Sequence, residues 1–353
     1  MIKERIQEYI VPLVFSVLCI LCFIFAGVSS TFLVNQLLLR FVRNGIMVLA
    51  LIIPIVGGMG LNFAVVVGAM AAQMAYLFVL NMQLYNIAGF LLVIIISIVL
   101  SAAFGILIGK ALNIVKGREM ITSIIIGFLA NYIYQLIFMV GFGTVIPVHN
   151  KKIVLASGIG VNNMVDLAPF KNGSDKLFQI SAGSIDIPVL MILTVLIFAY
   201  LICYILNTKL GQKIRAVGMS MEKSATLGIN VNGIRMVTLV ISTIIAAIGQ
   251  LVFLKNIGVI NVYTGHLNTD VFSCASLLAG GATIKKASVR NALIGILLLH
   301  TLFILSPLAG QNLFNNVSLG EYFRSFMAYG LIAFALIMNI KHDEDGLGKG
   351  GQA

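Results

Sequence analysis

Runs of about 20 apolar residues, the length that crosses a bilayer as a helix, recur through this chain from Ile10 to Ile340. In hydrocarbon a helix satisfies every backbone N–H and C=O within its own segment. The runs fall near 10–28, 44–58, 61–80, 87–109, 120–142, 187–207, 236–254, 269–284, 290–307 and 321–340. An all-α polytopic bundle of about ten transmembrane helices is therefore expected. Only 10% of the residues are charged, against about 25% in soluble domains, so residues 1–340 form one membrane domain and the charged, glycine-rich tail 341–353 is expected to be disordered.

Two runs are short, 44–58 and 269–284, and both end in glycines: Gly57, Gly58 and Gly60 in one, Gly280 and Gly281 in the other. Broken or half-spanning helices of this kind survive only where protein or a water-filled cavity shields their backbone. Segment 31–43, with Leu37, Leu38, Leu39 and Phe41 between Arg40 and Arg43, has the pattern of a separate interfacial helix. The first run, Ile10–Val28, is longer than a signal-peptide core and follows acidic Glu4 and Glu8, which makes it an uncleaved span.

The net charge is +11, but the basic residues cluster between apolar runs, the pattern that orients a membrane protein rather than one that binds nucleic acid. With the N-terminus cytoplasmic, 15 of the 23 Lys and Arg fall inside, and both termini are cytoplasmic. A polar stretch, 143–186, then lies outside, and a basic one, 208–235, lies inside. Cys19, Cys22, Cys203 and Cys274 all sit within apolar runs without metal-ligand spacing and are expected to be structural thiols.

The twelve acidic residues all lie at or near span ends or outside the spans, Asp270 and Glu321 coming nearest to a span interior, and no Lys or Arg is placed mid-span. Ion-driven transporters commonly carry ionisable groups at the bilayer centre. This absence disfavours an ion-coupled secondary transporter working without an ATPase, although a sodium site built from backbone alone stays open. Nor does the chain hold a nucleotide site. In Gly105-Ile-Leu-Ile-Gly109-Lys110-Ala111 the first glycine is one residue too close, and Ala111 replaces the magnesium-binding hydroxyl. His149, His266, His300 and His342 are scattered, and His300, inside a span, is expected to be a satisfied packing histidine. No catalytic constellation and no metal site is visible.

Polar groups inside the spans are few and patterned. Ser123, Gly127, Asn131 and Gln135 recur every four residues and make one stripe on a helix. Asn62 and Gln73 are eleven apart, which places them on one face of the 61–80 span, where Ala64, Gly68 and Ala72 form a small-residue series. Close helix packing with amide hydrogen bonds is one reading. The other is an uncharged solute pathway lined by Asn62, Gln73, Asn131 and Gln135, with Ser273, Cys274 and Ser276 adding to it.

The inside segment runs Lys209-Leu-Gly211-Gln-Lys213-Ile-Arg215-Ala-Val-Gly218-Met-Ser220-Met-Glu222-Lys223-Ser-Ala-Thr-Leu-Gly228-Ile229. Ser220 as N-cap and Gly228 as terminator predict a short helix over roughly 221–227, either a plain loop helix or a knob that docks in a partner's groove. This segment resembles the coupling helix of the permease subunits of ABC importers for ribose, branched-chain amino acids and nucleosides, at Gly211, Lys213, Arg215, Ala216, Val217, Gly218, Glu222, Lys223, Gly228 and Ile229. The stretch from Ser242 to Gly249 resembles the family's Ala/Gly-rich next span. Asp270-Val271-Phe272 through Gly280-Gly281 resembles its short segment ending in two glycines. Where sugar-type members carry Gly-Gly-Ile-Asp-Leu-Ser-Val-Gly, this chain has Gly57-Gly-Met-Gly-Leu-Asn-Phe-Ala64, and Lys285, Lys286 and Arg290 replace a glycine-rich turn. Glu119 to Ser123 followed by Asn131-Tyr132 looks more like the nucleoside-type members.

The resemblance implies a permease of a bacterial inner membrane importing a small polar solute, a nucleoside or a simple sugar. It implies a second permease chain, identical or related, and a separate ATP-binding subunit holding ATP and magnesium. It also implies an extracytoplasmic solute-binding protein, for which the 143–186 loop is the expected contact. Arg215, Gly218, Glu222, Lys223 and Gly228 would meet the ATPase.

Overall fold

The computed structural model describes residues 2–171, 179–182, 185–316, 318–326, 329–330, 332–334 and 337. The tail 341–353 and part of the polar 143–186 stretch lie outside the described residues. The elements run α1 (Ile2–Ala26), α2 (Ser30–Ala50), α3 (Ile52–Val56), α4 (Val65–Asn81), α5 (Ile87–Ile114), α6 (Glu119–Leu136), β1 (Met164–Asp166), α7 (Ala168–Lys171), β2 (Gln179–Ala182) and β3 (Ile185–Pro188). They continue with α8 (Val189–Asn207), α9 (Lys209–Met219), α10 (Met221–Thr226), α11 (Val231–Ile257), β4 (Val259–Asn261), α12 (Thr269–Ala279) and α13 (Val289–Phe314).

Among the described residues seven helices are long and apolar enough to cross a membrane, and two shorter apolar helices, α4 and α12, join them. These account for nine of the ten expected spans, and the described residues between 318 and 337, on the tenth, are helical. The expected interfacial helix at 31–43 is corrected. It is the first half of α2, which with α3 makes one candidate span, Ser30–Val56. Nothing in 31–43 breaks a helix, so it runs on through Arg40 and Arg43. Both arginines thus sit inside a candidate span, contrary to expectation, with Arg43 donating to Asn256 Oδ1 at 2.5 Å. The 27 residues of this span extend about 40 Å at helical rise, longer than the roughly 30 Å of hydrocarbon, which leaves one end for the interface.

The chain divides into two compact units, Met1–Phe41 with Ser181–Ile187 and Val271–Ala353, and Val42–Ile180 with Pro188–Asp270. In the first, α1 packs on α13 around Ala26, Leu305 and Ala309. Asn312 Nδ2 donates to the carbonyls of Phe25 and Ala26 at 3.1 and 2.9 Å, satisfying the last turn of α1. His300 of α13 is buried against the edge of Phe303, and neither ring nitrogen has a hydrogen-bond partner among the described residues, so the expectation of a satisfied histidine fails.

The second unit is built around α4, buried on all sides except at Phe78, as its unbroken apolarity requires. Helices α5 and α11 flank it. A stripe on α5 (Ser97, Ser101, Gly105, Gly109) turns inward, and a Cβ on Gly105 would meet the Val240 backbone of α11 at 2.8 Å. The glycines that mimic a phosphate loop are therefore helix-packing residues. Residues 143–171 of the polar stretch belong to this unit. Its Ile153, Val161, Val165 and Phe170 join the core, and β1 pairs antiparallel with β4, Val165 opposite Ile260.

Candidate functional site

The break between α2 and α3 has a local cause. Pro54 has no N–H, so the carbonyl of Ala50, four residues earlier, loses its helical donor. Ser242 Oγ of α11 supplies one at 2.7 Å. The chain then leaves the helix at Gly57 and Gly58, Gly58 with φ of 74°, and enters α4 through Asn62, whose Oδ1 accepts from the Ala64 N–H at 3.1 Å. Asn62 thus precedes α4 and caps its approach, and it shares no helical face with Gln73, a correction to the sequence reading. Next to it, the Phe63 N–H donates to Ser123 Oγ of α6 at 3.1 Å.

The segment after α8 folds as two short helices. Thr208 caps α9 and Ser220 caps α10, its Oγ accepting from the Lys223 N–H at 3.3 Å. Gly228 closes the turn at φ 77°, so the predicted helix over 221–227 is observed at Met221–Thr226. Arg215, Glu222, Lys223 and Gly228 are exposed. Met219 and Leu227 are also exposed, at 82% and 77%, close in sequence to Arg215, Glu222 and Lys223. Gly218 differs. A Cβ there would lie 2.1 Å from the Val56 carbonyl oxygen and 3.0 Å from the Gly58 nitrogen, and one on Gly58 would lie 2.8 Å from Gly218 Cα. The two backbones touch with no room for a side chain on either, so the end of α9 is seated directly on the broken helix.

The amides of the second unit gather around an imidazole. His266, wholly buried in the turn after β4, places Nδ1 2.9 Å from Gln73 Oε1 of α4 and Nε2 2.7 Å from Asn131 Oδ1 of α6. Gln135 Nε2 donates weakly to Asn131 at 3.4 Å. Gln73 Nε2, Asn62 Nδ2 and Tyr134 Oη are buried without a partner among the described residues. Ser123, Gly127 and Asn131 face the interior in one line, as their spacing predicts. Ser273 is buried on α12 in the other unit.

A second polar knot was missed by the sequence reading. Arg235, only 1% exposed, donates to Glu119 Oε1 at 2.7 Å, to Asn113 Oδ1 at 2.9 Å and to the Leu112 carbonyl at 3.1 Å, and approaches Met221 Sδ at 3.4 Å. It joins the end of α5 and the starts of α6, α10 and α11. Each residue reads from sequence as an ordinary span-end charge, and 116 positions separate the pair. Among the described residues no three His, Cys, Asp or Glu gather as a metal site.

Residues 33–338 match the family model described as the branched-chain amino acid transport system permease component. The chain is 25% identical over 242 residues to the fructose import permease protein FruG of Bifidobacterium longum, 68% of this chain and 64% of that one. It is 26% identical over 148 residues to the high-affinity branched-chain amino acid transport system permease protein BraD of Pseudomonas aeruginosa, 42% of this chain and 44% of that one. To the corresponding protein LivH of Salmonella typhimurium it is 27% identical over 124 residues, 35% and 40% of the two chains. Each of these matches covers less than two thirds of the relative's length. No solved structure matches the chain. A model that spans nearly the whole of this multi-pass chain, from within α2 to beyond α13, places it in that permease-component family.

Proposed function

We propose that the chain is the membrane-spanning permease subunit of an ATP-driven importer for a small polar solute, with α10 as the cytoplasmic helix that docks on an ATP-hydrolysing partner. The contact between Gly218 and Gly58 carries this reading. It gives a cytoplasmic helix pair a rigid seat on a broken transmembrane helix, so motion imposed from the cytoplasm has a defined place to enter the bundle. Exposed Met219 and Leu227, flanking Glu222 and Lys223, suit a partner's groove with an apolar floor and a charged rim.

The ATP-binding subunit holds the ATP and magnesium. A second permease chain covers apolar faces of α6 and α8 that are exposed here, such as Phe128, Tyr132, Ile197 and Tyr200. An extracytoplasmic binding protein delivers solute to the 143–186 side, which puts both termini in the cytoplasm of a bacterial inner-membrane protein. Asn62, Gln73, Asn131 and Gln135 of the second unit contribute an uncharged lining as the bundle opens. Such a lining favours a neutral solute, a nucleoside or simple sugar, over an ion.

The test is uptake of radiolabelled uridine, fructose and leucine into inside-out-controlled vesicles from cells expressing the whole transporter. Gly218→Trp and Arg215→Glu are expected to insert normally and abolish ATP-dependent uptake. Normal uptake by both variants overturns the reading. Uptake by the purified chain alone, collapsed by an ionophore, would replace it with an ion-coupled transporter.

A further inference from the structure

Resting on that reading, we propose that the buried Arg235–Glu119 pair is a positioning element that carries motion of α10 to α6, the helix that bears Asn131. The guanidinium uses its donors on three different elements. Two reach the end of α5 at Asn113 and Leu112, one holds the carboxylate at the first residue of α6, and one lies against the sulfur of Met221, the first residue of α10. Asn113 Nδ2 also donates to the Asn232 carbonyl at 2.9 Å, which ties the same knot to the start of α11.

Stability alone does not account for an ion pair here. Desolvating both charges offsets most of their attraction, and well-packed apolar side chains of similar volume commonly match or exceed such a pair. What the pair supplies is directionality. Its hydrogen bonds fix the start of α6 to α10 in one geometry, which apolar packing, having no preferred angle, does not. Glu119 begins the helix on which Ser123 holds the Phe63 backbone and, two turns further on, Asn131 meets His266. A displacement of α10 therefore reaches the neutral cluster through α6 as a rigid body. Because Gly218 seats α9 on the broken helix separately, this is a second route from the same helix pair, starting on α10 rather than on α9.

The experiment uses the permease–ATPase complex in nanodiscs, with a cysteine-free background and nitroxides at Thr226→Cys on α10 or Tyr132→Cys on α6, each measured against a label on the ATPase. Distances are compared without nucleotide and after trapping with ATP and vanadate. In the parent both sites shift. In Arg235→Met/Glu119→Met the α10 site still shifts, while the population that shifts at α6 falls about tenfold, the size of an ordinary coupling between two sites. Should that double variant fail to assemble, Met221→Ala removes only the α10 contact and is expected to reduce the α6 shift while leaving assembly intact. Unchanged α6 shifts in an assembled variant overturn the inference and leave the importer reading standing. Absence of any shift at α10 in the parent overturns the importer reading itself.

Discussion

Two of the buried polar knots in the second unit, around Arg235 and around His266, are built from opposite materials. Near the helix ends beside α9 and α10, Arg235 and Glu119 are charged and joined by a network in which each guanidinium nitrogen has a contact. Farther along α6, Gln73, His266 and Asn131 form an amide–imidazole cluster that leaves Gln73 Nε2 and Tyr134 Oη without partners among the described residues. At Arg235 the buried charge is met by a carboxylate and by further acceptors. The cluster deeper in the bundle uses groups whose burial without a partner costs a few kcal/mol rather than the far larger penalty of a lone ion. The first knot is suited to holding one geometry. The second is suited to exchanging partners, because neutral amides and an imidazole can each turn from donor to acceptor toward a polar solute or water.

Substitutions at four positions break or sharpen this contrast. Glu119→Ala leaves a buried guanidinium without its carboxylate and is expected to destabilise by about 3–5 kcal/mol, seen as a large fall in the thermal denaturation midpoint in detergent. A fall no larger than that of a surface variant would mean that Asn113 and Leu112 suffice. Gly218→Ala forces a Cβ against the Val56 carbonyl and, as an overpacked contact, is expected to cost about 1–3 kcal/mol while suppressing ATP-dependent uptake. Retained uptake would remove the seat from the mechanism. His266→Ala strips both amides of their partner at about 1–3 kcal/mol, with His266→Gln recovering part of it in the same denaturation assay. If the two variants behave alike, the imidazole is only filling space. Ser220→Ala is the smallest, about 1 kcal/mol for a lost N-cap. Faster amide hydrogen exchange confined to α10 is its signature, and exchange spreading into α6 would show that the two knots are not separable.

The order of the spans was legible because a 20-residue apolar run has few alternatives in lipid, and the short helix at Met221–Thr226 was legible because Ser220 and Gly228 act within one turn of themselves. The inward stripe of Ser123, Gly127 and Asn131 followed from helical periodicity alone. The independent helix at 31–43 was misread because two arginines suggested an interface, whereas the helix continues wherever backbone bonds are unbroken and Arg43 finds Asn256. Asn62 was placed on α4 by counting residues, but the glycines before it let the chain turn and delay the helix to Val65.

The amino-acid sequence by itself determined that the chain is a helical membrane bundle with two glycine-ended short helices and a capped helix between α8 and α11. Those properties depend on composition, periodicity and caps, all of which act over a few neighbouring residues. Tertiary structure alone decided which polar groups meet. His266 lies 135 and 193 positions from the amides it bridges, and Gly218 touches Gly58 across several helices. Such pairings follow from how packed helices bring distant segments into register, and no local pattern in the chain encodes that register.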